Sequence, residues 1–545
     1  MQLRLQPPGS GLKPYESNKL IVSSDRKLIW LGWVIGVLLI VISRLPFISG
    51  AGAVLDGDEA ILGLMAKHLS EGRSLELFFY GQNFGVTIIE NINAALFFLA
   101  LGASATSLKI ATLTLWIVGW SFFLFGTRRL AGTSTALIAG LLLLGCSAWA
   151  IWPTLARGYH VGGFALLQFC YWQFAGLYKT GALPDTKPGS FALLGISTGL
   201  LFLTQKLWFI AFLPFLTVVL WQRKSRREAL VLCICAIALI ALPQIIPGKP
   251  SQYWDPEYLR EMNPILALTL LPERIWTFFS GAYSYATRMD SNLLSKVTAS
   301  GWCLLLVVAG VAMIKRVLRG PERMLCAAII TSGLLVMGAT LFIGSTLFGY
   351  RYLLPLASLT SLAVSLSIGT QPKHRRTFDL SPSGITTLAI TLILVAAGLL
   401  ATVTGPNFRA TASFEPTKLS PQQSIDSLIH DLEAQGIHHV YSLDPMLQWN
   451  IIFSSRESII ARWSDPNDRR PEYPLQVDQA FFQGDAIAIV GMAASLQSFT
   501  DFLRSQDMGA TTIYTSGDRY FWLPDPSREL LQATGFKLNP VANYK

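Results

Sequence analysis

The sequence predicts an α-helical polytopic membrane protein with about 11–13 transmembrane helices and a C-terminal soluble α/β domain. Of the 545 residues, 52% are hydrophobic and only 14% are charged. Apolar stretches of roughly 17–23 residues recur from Leu28 to about Thr402, and each is long enough to cross the bilayer as a helix. After "GPNFRA" the composition becomes that of a soluble domain, which predicts the second part of the fold.

The predicted domains are therefore 1–402, which crosses the membrane, and 403–545, which does not. The first apolar run is expected to be a retained anchor, because about 27 mostly polar residues precede it and it exceeds a signal-peptide core in length. The candidate spans are 28–48, 86–103, 109–126, 132–152, 161–178, 189–204, 206–221, 229–247, 299–315, 323–345, 352–369 and 383–402.

Lysine and arginine between the spans predict the orientation. The N-terminus and the basic segments 222–227, 315–323 and 373–376 are placed in the cytoplasm. The outer face then carries the segments 49–85, 248–298 and 346–351 and the whole C-terminal domain. We therefore expect a multi-pass protein of the cytoplasmic (inner) membrane with an extracytoplasmic C-terminal domain.

Twelve crossings would bring both termini to the same side of the membrane, in conflict with this charge pattern. Either one segment within 86–126 lies along or re-enters the membrane, or 189–221 forms one long helix, and the first alternative is preferred. The net charge of +10 does not indicate nucleic acid as a partner, because the basic residues form short clusters between spans.

The C-terminal part alternates predicted helices and strands. "SIDSLIHDLEAQG" (424–436) has helical spacing and ends on a glycine, which is a helix-stop signal. Short strand-like runs occupy 437–443, 486–490 and 511–516, with a predicted helix over 494–506. This alternation indicates a small α/β domain, and it contains no glycine-rich phosphate loop.

Cysteine and histidine suggest neither disulfides nor a metal centre. The six cysteines all lie within or beside apolar spans, where cysteine usually acts as a small apolar residue. The histidines of the C-terminal domain have no partners at metal-ligand spacing. No metal ligand is assigned from this pattern.

Three carboxylates lie within four residues directly after the first span: Asp56, Asp58 and Glu59. The apolar positions that follow, from Ile61 to Leu69, predict a short amphipathic helix at the membrane surface. Local structure explains one or two of the acids, because Asp56 or Asp58 can cap this helix and Glu59 favours its positive end. The functional alternative is that one of them is a general base beside a surface of low dielectric constant.

A cation is predicted on the same face. "FGYRYLLPL" (348–356) places Arg351 at the outer edge of a late span, between Tyr350 and Tyr352. These residues are compatible with simple interfacial anchoring by an aromatic belt. They are also compatible with a guanidinium fork that binds a phosphate group at the bilayer surface.

Several motifs in this order resemble the GT-C superfamily of membrane glycosyltransferases. They are "DEA" after the first span, "FFYGQNFG" followed by Glu90, "ARGYH" at 156–160, "RYLLPL" in a late span, and the polar C-terminal domain. Within that superfamily the likeness is greatest to the bacterial branch that includes protein O-mannosyltransferases and the lipid A aminoarabinose transferase. About 50 residues belong to the motifs on which this resemblance rests.

The resemblance implies a donor sugar carried on a polyprenyl phosphate, and a catalytic base in the first outer loop. By motif position the base is Asp58, with Glu59 or Asp56 in support. Arg351, beside Tyr352, is expected to bind the lipid phosphate. The residues expected to bind substrate are Glu90, Tyr80, Gln82, Arg157 and Tyr159.

The sequence also departs from the family pattern. The additional Asp56 in "DGDEA" leaves open which aspartate is the base, and His160 stands where an acidic or neutral residue is usual. Some members bind a metal through a glutamate and a histidine. Nothing in this sequence fixes such a pair, so no cofactor is certain and a divalent metal is left open.

The leading hypothesis is a hexosyl- or pentosyltransferase of the cell envelope. It moves a sugar from a polyprenyl-phosphate-linked donor to an acceptor hydroxyl on the outer face of the cytoplasmic membrane, with inversion. The acceptor is a glycan, a lipid or a protein, and the membrane lipid is itself a partner. The main alternative is a transporter or flippase of lipid-linked sugars, although duplicated halves typical of transporters are not seen. The third hypothesis is a protein without catalytic activity that serves as a scaffold.

One basic segment of the C-terminal domain has two interpretations. "WSDPNDRRPEYP" (463–474) and the preceding residue bring together Arg462, Arg469, Arg470 and Tyr473. They form either a solvated loop or a positively charged lip that approaches an anionic donor or acceptor.

Overall fold

The computed structural model describes residues 14–48, 55–73, 75–82, 85–178, 188–222, 226–245, 264–284, 287–320, 322–342, 350–368, 382–404, 419–465, 468–508 and 512–538. The first three quarters of the chain are helical, and the last quarter folds around a β-sheet. The predicted fold class, a polytopic α-helical membrane protein with a C-terminal α/β region, is confirmed. The domain boundary at residue 402 stays a prediction.

The helical part contains fourteen α-helices among the described residues. They are α1 Pro14–Ile48, α2 Gly57–Ser70, α3 Ile88–Leu101, α4 Ala105–Ala131, α5 Thr133–Leu144, α6 His160–Leu177, α7 Pro188–Thr204, α8 Lys206–Gln222, α9 Arg226–Ile245, α10 Pro264–Ser280, α11 Leu293–Arg319, α12 Arg323–Phe342, α13 Leu354–Ile368 and α14 Pro382–Thr404. A small hairpin, β1 Tyr283–Ser284 and β2 Thr287–Arg288, follows α10.

Five helices of the described part are individually long and apolar enough to span a membrane. They are α1, α4, α11, α12 and the continuous segment formed by α13 and the 3-10 turn before it, Tyr350–Leu353. Shorter apolar helices over α3, α7, α8 and the last two thirds of α14 lie among them. The number of complete crossings therefore stays a prediction.

The expected span over 132–152 is broken in the structure. Helix α5 ends at Leu144, and the following 3-10 turns, Ser147–Trp149 and Trp152–Thr154, turn away by 58°. Pro153 in the second turn lacks the N–H that a continuous helix needs. The fully buried Arg44 compensates for the break by donating to the carbonyl oxygens of Leu144 and Trp149, at 3.4 and 3.3 Å.

The two segments that left the crossing number open have distinct structures. Helix α3 has 14 residues and is therefore about 21 Å long, which is short for a span. The segment 189–221 is not one continuous helix, because Gln205 interrupts it between α7 and α8. The preferred alternative, a membrane-parallel or re-entrant segment within 86–126, stays a prediction.

The C-terminal domain is built on a five-stranded mixed sheet in the order β4-β3-β5-β7-β6. Strands β3, β4 and β5 are parallel, whereas β7 runs antiparallel to β5 and β6 antiparallel to β7. The elements are α15 Pro421–Ala434, β3 His439–Ser442, α16 Leu447–Ser454, β4 Ile460–Arg462, α17 Glu472–Gln483, β5 Ile487–Met492, α18 Leu496–Ser505, β6 Tyr514–Ser516, β7 Tyr520–Pro524 and α19 Arg528–Ala533.

The three predicted strand-like runs correspond to β3, β5 and β6, and the predicted helices correspond to α15 and α18. The strand-like run directly before 463–474 corresponds to β4, and β7 was not predicted. The core of the sheet is apolar and fully buried at Val440, Ile489 and Leu523.

Arg462 does not belong to a positively charged lip, because its side chain is fully buried beneath the sheet. Its Nη1 pairs with both carboxylate oxygens of Asp478 at 2.5 Å, and Tyr441 donates to the same carboxylate at 3.0 Å. Such a saturated buried pair holds β3, β4 and α17 together.

Helix α2 is enclosed by protein on several sides, whereas a helix lying at the membrane surface was expected. Helix α16 of the C-terminal domain packs against it, and Asn450 donates to the carbonyl oxygen of Leu55 at 3.0 Å. A Cβ on Gly63 would lie 2.6 Å from the Phe453 ring, so the two helices need glycine at this contact. Burial on both sides explains why polar residues such as His68 are also covered.

Candidate active site

The first turn of α2 uses two of its three carboxylates for capping. The Asp56 carboxylate accepts from the backbone N–H of Glu59 at 3.0 Å, and the Glu59 carboxylate accepts from the backbone N–H of Asp56 at 3.2 Å. This reciprocal capping box satisfies two backbone donors at the helix N-terminus. Asp58 takes no part in it.

Glu59 is fixed in a buried ion pair. Its side chain accepts from the Lys109 ammonium at 3.1 Å and from the backbone N–H of Ala156 at 2.8 Å. Lys109 also donates to the carbonyl oxygen of Thr154 at 3.3 Å. Burial raises the pKa of Glu59, and the positive charge of Lys109 opposes that rise. The pair connects α2 with α4 and with the turn before α6.

Arg157 lies beside both aspartates. Its Nε donates to Asp56 at 2.7 Å, and a second guanidinium nitrogen pairs with the same carboxylate oxygen. The distance from Arg157 Nη1 to the nearer Asp58 oxygen is 3.7 Å, which is longer than a hydrogen bond. Arg157, predicted as a substrate-binding residue, thus anchors Asp56 while facing Asp58.

Asp58 has two arginines beside it and keeps its carboxylate oxygens available. Arg469 from the C-terminal domain lies on the other side, with Nη1 at 3.5 Å from Oδ1 of Asp58. Within the described part of the chain, no group donates a hydrogen bond to this carboxylate. An incoming hydroxyl could therefore donate to it without displacing a protein group.

The motif around Glu90 is largely buried. Glu90 is buried at the start of α3 and accepts from the backbone N–H of Gly162 at 2.9 Å. Gln82 lies in the preceding loop, with its side-chain oxygen buried. Tyr159, immediately before α6, has a left-handed backbone with φ of 61°. A non-glycine residue adopts this conformation at an energetic cost, which often marks a functional position.

Tyr159 brings the two ends of the chain into one region. The charges that act on its hydroxyl include those of Arg351, Asp58 and Arg469. Burial raises the pKa of Tyr159 to about 12, so the phenol stays protonated at physiological pH. The carboxylate after the first span and the guanidinium before α13 therefore both lie within electrostatic range of the same tyrosine.

Arg351 lies in the 3-10 turn that precedes α13. Its Nη2 donates to the hydroxyl of Tyr352 at 2.8 Å, and the guanidinium lies over the Tyr352 ring at 4.8 Å. The ring of Tyr350 packs 5.6 Å from that of Tyr283, whose hydroxyl accepts from Trp152 at 3.1 Å. The broken helix after α5 thus supports the turn that carries Arg351.

Tyr80 belongs to a polar cluster between α2 and the C-terminal domain. Its hydroxyl lies 2.6 Å from Nδ1 of His68 and accepts from Arg470 at 2.5 Å. On the other side of His68, Nε2 lies 3.0 Å from Glu457. Lys67 completes the cluster with an ammonium–carboxylate distance of 2.6 Å to Glu457.

Glu457 is held ionised by its neighbours. Burial alone would raise its pKa, but hydrogen bonds from His68, Lys67 and Tyr473 outweigh burial and keep the pKa of Glu457 well below its usual range. The clustered residues thereby hold the C-terminal domain against α2, and Tyr80 serves this contact.

Comparison with known proteins gives matches in structure only: no protein-family model and no curated protein sequence matches the chain. The structure of ArnT from Cupriavidus metallidurans bound to undecaprenyl phosphate is similar with a TM-score of 0.60 and 12% identity, over 91% of this chain and 98% of that one. A second similar structure is that of the archaeal oligosaccharyltransferase AglB from Archaeoglobus fulgidus, in complex with an inhibitory peptide and a dolichol-phosphate. Its TM-score is 0.52 at 12% identity, and the match covers 87% of this chain and 70% of that one.

The chain has the GT-C fold. ArnT and AglB are both membrane glycosyltransferases of that superfamily, and the fold resemblance stated from the sequence motifs is confirmed. At this level of identity the likeness concerns the fold. The roles of individual residues rest on the geometry of this chain.

Within this GT-C fold, several residues of the site escaped the sequence analysis. Lys109 was not proposed as the partner of Glu59, although an ionisable residue inside an apolar helix is a recognisable signal. The pairing of His68 with Glu457 spans 389 residues and leaves no local pattern. Arg469 was singled out only as part of a basic segment.

The described residues do not form a site that fits a metal ion. They contain no group of three or more histidine, cysteine, aspartate or glutamate side chains placed to hold an ion. Of the acids after the first span, Asp56 pairs with Arg157 and Glu59 with Lys109, so cations of the protein already occupy them.

Proposed function

We propose that this protein transfers a sugar from a polyprenyl-phosphate-linked donor to an acceptor hydroxyl on the outer face of the cytoplasmic membrane. The observation that carries the proposal is that the charges of Asp58 and Arg351 both act on Tyr159. A proton acceptor and a phosphate-binding cation are the minimum that this reaction requires.

The donor class is supported by the structural neighbours. ArnT was solved with undecaprenyl phosphate and AglB with a dolichol-phosphate, and both compounds are polyprenyl-type phosphates. A lipid-linked donor also fits an active site outside the cytoplasm, where nucleotide-activated sugars are not available. The proposal specifies the sugar of the donor only as a hexose or a pentose.

The reaction assigns one task to each charged group. The acceptor hydroxyl oxygen attacks the anomeric carbon, its proton passes to the Asp58 carboxylate, and a new glycosidic bond forms. The bond between the anomeric carbon and the phosphate oxygen breaks, and the polyprenyl phosphate leaves with the bonding electrons. Arg351 stabilises the negative charge that develops on this phosphate, and Tyr352 fixes the guanidinium.

Attack and departure on opposite faces of the sugar invert the anomeric configuration. In this scheme Asp56 and Glu59 support the base rather than replace it. Asp56 caps α2 and pairs with Arg157, while Glu59 fixes the helix through Lys109. Glu90, Gln82 and Tyr159 are proposed to bind the substrate.

The test is a transfer assay with purified protein. It is supplied with undecaprenyl-phosphate-linked hexoses and pentoses and with glycan, lipid and peptide fractions of the cell envelope as acceptors. Transfer with release of undecaprenyl phosphate is expected from the wild type, with the product anomer inverted relative to the donor. Movement of the lipid-linked sugar across vesicles without transfer would contradict the proposal and favour a flippase.

A further inference from the structure

Arg469 enters the candidate site from the C-terminal domain through a close backbone contact. Gly81 has a left-handed backbone with φ of 70°, and a Cβ at this position would lie 2.8 Å from the Cα of Arg469. Glycine at position 81 therefore allows the 468–470 segment to approach the first outer loop. From there the Arg469 guanidinium lies over the ring of Phe79, 5.2 Å from its centre.

The guanidinium of Arg469 has a nitrogen that makes no hydrogen bond with the described residues. Its Nη1 is buried and, within the described residues, has no hydrogen-bond partner. The nearest anionic oxygen is Oδ1 of Asp58, at an ion-pair distance of 3.5 Å. The neighbouring Arg470 differs, because it donates to Tyr80 and lies 2.9 Å from a ring nitrogen of His68.

A buried guanidinium N–H without an acceptor oxygen is costly, so an oxygen ligand is expected at this position. The Asp58 carboxylate at the same place also lacks a donor from the described part of the protein. A hydroxyl that donates to Asp58 at about 2.7 Å would lie beside Nη1 of Arg469. The two vacant hydrogen-bonding positions are therefore adjacent, one accepting and one donating.

We infer that Arg469 is an acceptor-binding residue of the active site, supplied by the C-terminal domain. The inference rests on the proposed function, which assigns Asp58 to the acceptor hydroxyl and Arg351 to the donor phosphate. Arg469 donates to an oxygen next to the attacking hydroxyl, so the acceptor carries two oxygen groups close together. The C-terminal domain then takes part in selecting the acceptor.

The test separates binding of the donor lipid from use of the acceptor. Arg469→Gln removes the charge and Arg469→Lys keeps it, while Arg504→Gln on the exposed face of α18 is the matched control. Undecaprenyl phosphate is the probe for the donor side. Transfer from an undecaprenyl-phosphate-linked sugar to a glycolipid extract of the cell envelope reports the acceptor side.

The Gln variant is expected to bind undecaprenyl phosphate as the wild type does. The acceptor concentration for half-maximal transfer should rise about 10- to 100-fold, the effect of losing one charged hydrogen bond. Arg469→Lys should recover part of that loss, and Arg504→Gln should behave as the wild type. Recovery by lysine would not follow if Arg469 only filled space over Phe79.

Two results would overturn the inference. One is transfer with an unchanged acceptor requirement in Arg469→Gln, and the other is an equal weakening of undecaprenyl phosphate binding, which would place Arg469 on the donor side. Either result leaves the proposed function intact. A wild-type protein that transfers no lipid-linked sugar would instead overturn the proposed function and this inference with it.

Discussion

At the residue scale, three neighbouring carboxylates differ because their partners differ. Asp56 is engaged by the helix cap and by Arg157, and Glu59 by Lys109, whereas Asp58 accepts no hydrogen bond from the described residues. A base must have a free oxygen within reach of the acceptor hydroxyl. On this ground we propose Asp58, rather than Asp56, as the base.

We predict that Asp58→Asn lowers the rate of transfer by about 10²- to 10⁴-fold, the usual contribution of a general base. Asp56→Asn is expected to retain measurable transfer, because it disturbs the cap and Arg157 without removing the base. The measurement is the single-turnover rate of both variants with an undecaprenyl-phosphate-linked sugar. Equal losses in the two variants would show that the assignment to Asp58 is wrong.

The sequence could indicate which residues are candidates for the site, but it could not assign a separate role to each of them. Asp58, Arg351 and Glu90 were singled out by motif position, and the structure brings Asp58 and Arg351 to the same tyrosine. Arg469 and Lys109 required the fold, because each meets its partner across at least 50 residues of chain. Contacts of this range follow from packing between helices and domains, which local periodicity does not encode.

At the scale of elements, α2 is held from both sides. The Glu59–Lys109 pair fixes its first turn to α4, and the polar cluster around Glu457 fixes its last turn to the C-terminal domain. A helix placed in this way carries Asp58 on a rigid support, as a catalytic group requires. The apolar stripe correctly predicted a helix at this position. It could not show that the polar face of the helix is also covered by protein.

Breaking the buried pair should destabilise the protein strongly. We predict that Lys109→Met lowers the free energy of unfolding by about 3–5 kcal/mol, because the Glu59 carboxylate is then buried without its cation. The double variant Lys109→Met with Glu59→Gln should recover much of this loss. Thermal unfolding in detergent measures both, and Arg504→Gln serves as the exposed control. A single variant as stable as the wild type would contradict the structural role of the pair.

The contact at the other end of α2 should depend on pH. The folded-state pKa of Glu457 is depressed, so its contribution to stability is fully present above the pKa of the unfolded carboxyl, about 4.3, and is lost as the pH falls below it. We predict that Glu457→Gln lowers the unfolding temperature at pH 7 and that the difference from wild type shrinks towards pH 3. A difference that is constant with pH would rule out the ionised carboxylate as the cause.

At the scale of the whole molecule, the C-terminal domain closes the site that the membrane part begins. Its helix α16 packs on α2, and its Arg469 faces Asp58. The fold class could be predicted from composition and from the apolar runs, because these show whether a segment is surrounded by lipid or by water. The interruption at Gln205 was predicted by the separate spans 189–204 and 206–221, whereas the helix break at Cys146 was not, because a single interruption hardly alters the mean hydropathy of a run.

The orientation gives a prediction for the intact cell. Arg504 is exposed on α18, and the native cysteines lie within or beside apolar segments. We predict that Arg504→Cys reacts with a membrane-impermeant maleimide added to spheroplasts, because the proposed orientation places the domain outside the cytoplasm. Labelling only after lysis would place the domain, and with it the site, on the cytoplasmic side.

The proposed mechanism depends most on the separate roles of two residues from opposite ends of the membrane part: Asp58 as the base and Arg351 as the phosphate-binding cation. The most direct measurement compares undecaprenyl phosphate binding and sugar transfer in Asp58→Asn and Arg351→Gln. We predict that Asp58→Asn binds the lipid as the wild type does and transfers sugar about 10²- to 10⁴-fold more slowly, while Arg351→Gln binds the lipid at least 10-fold more weakly. Transfer at the wild-type rate in Asp58→Asn, or unchanged lipid binding in Arg351→Gln, would contradict these two roles.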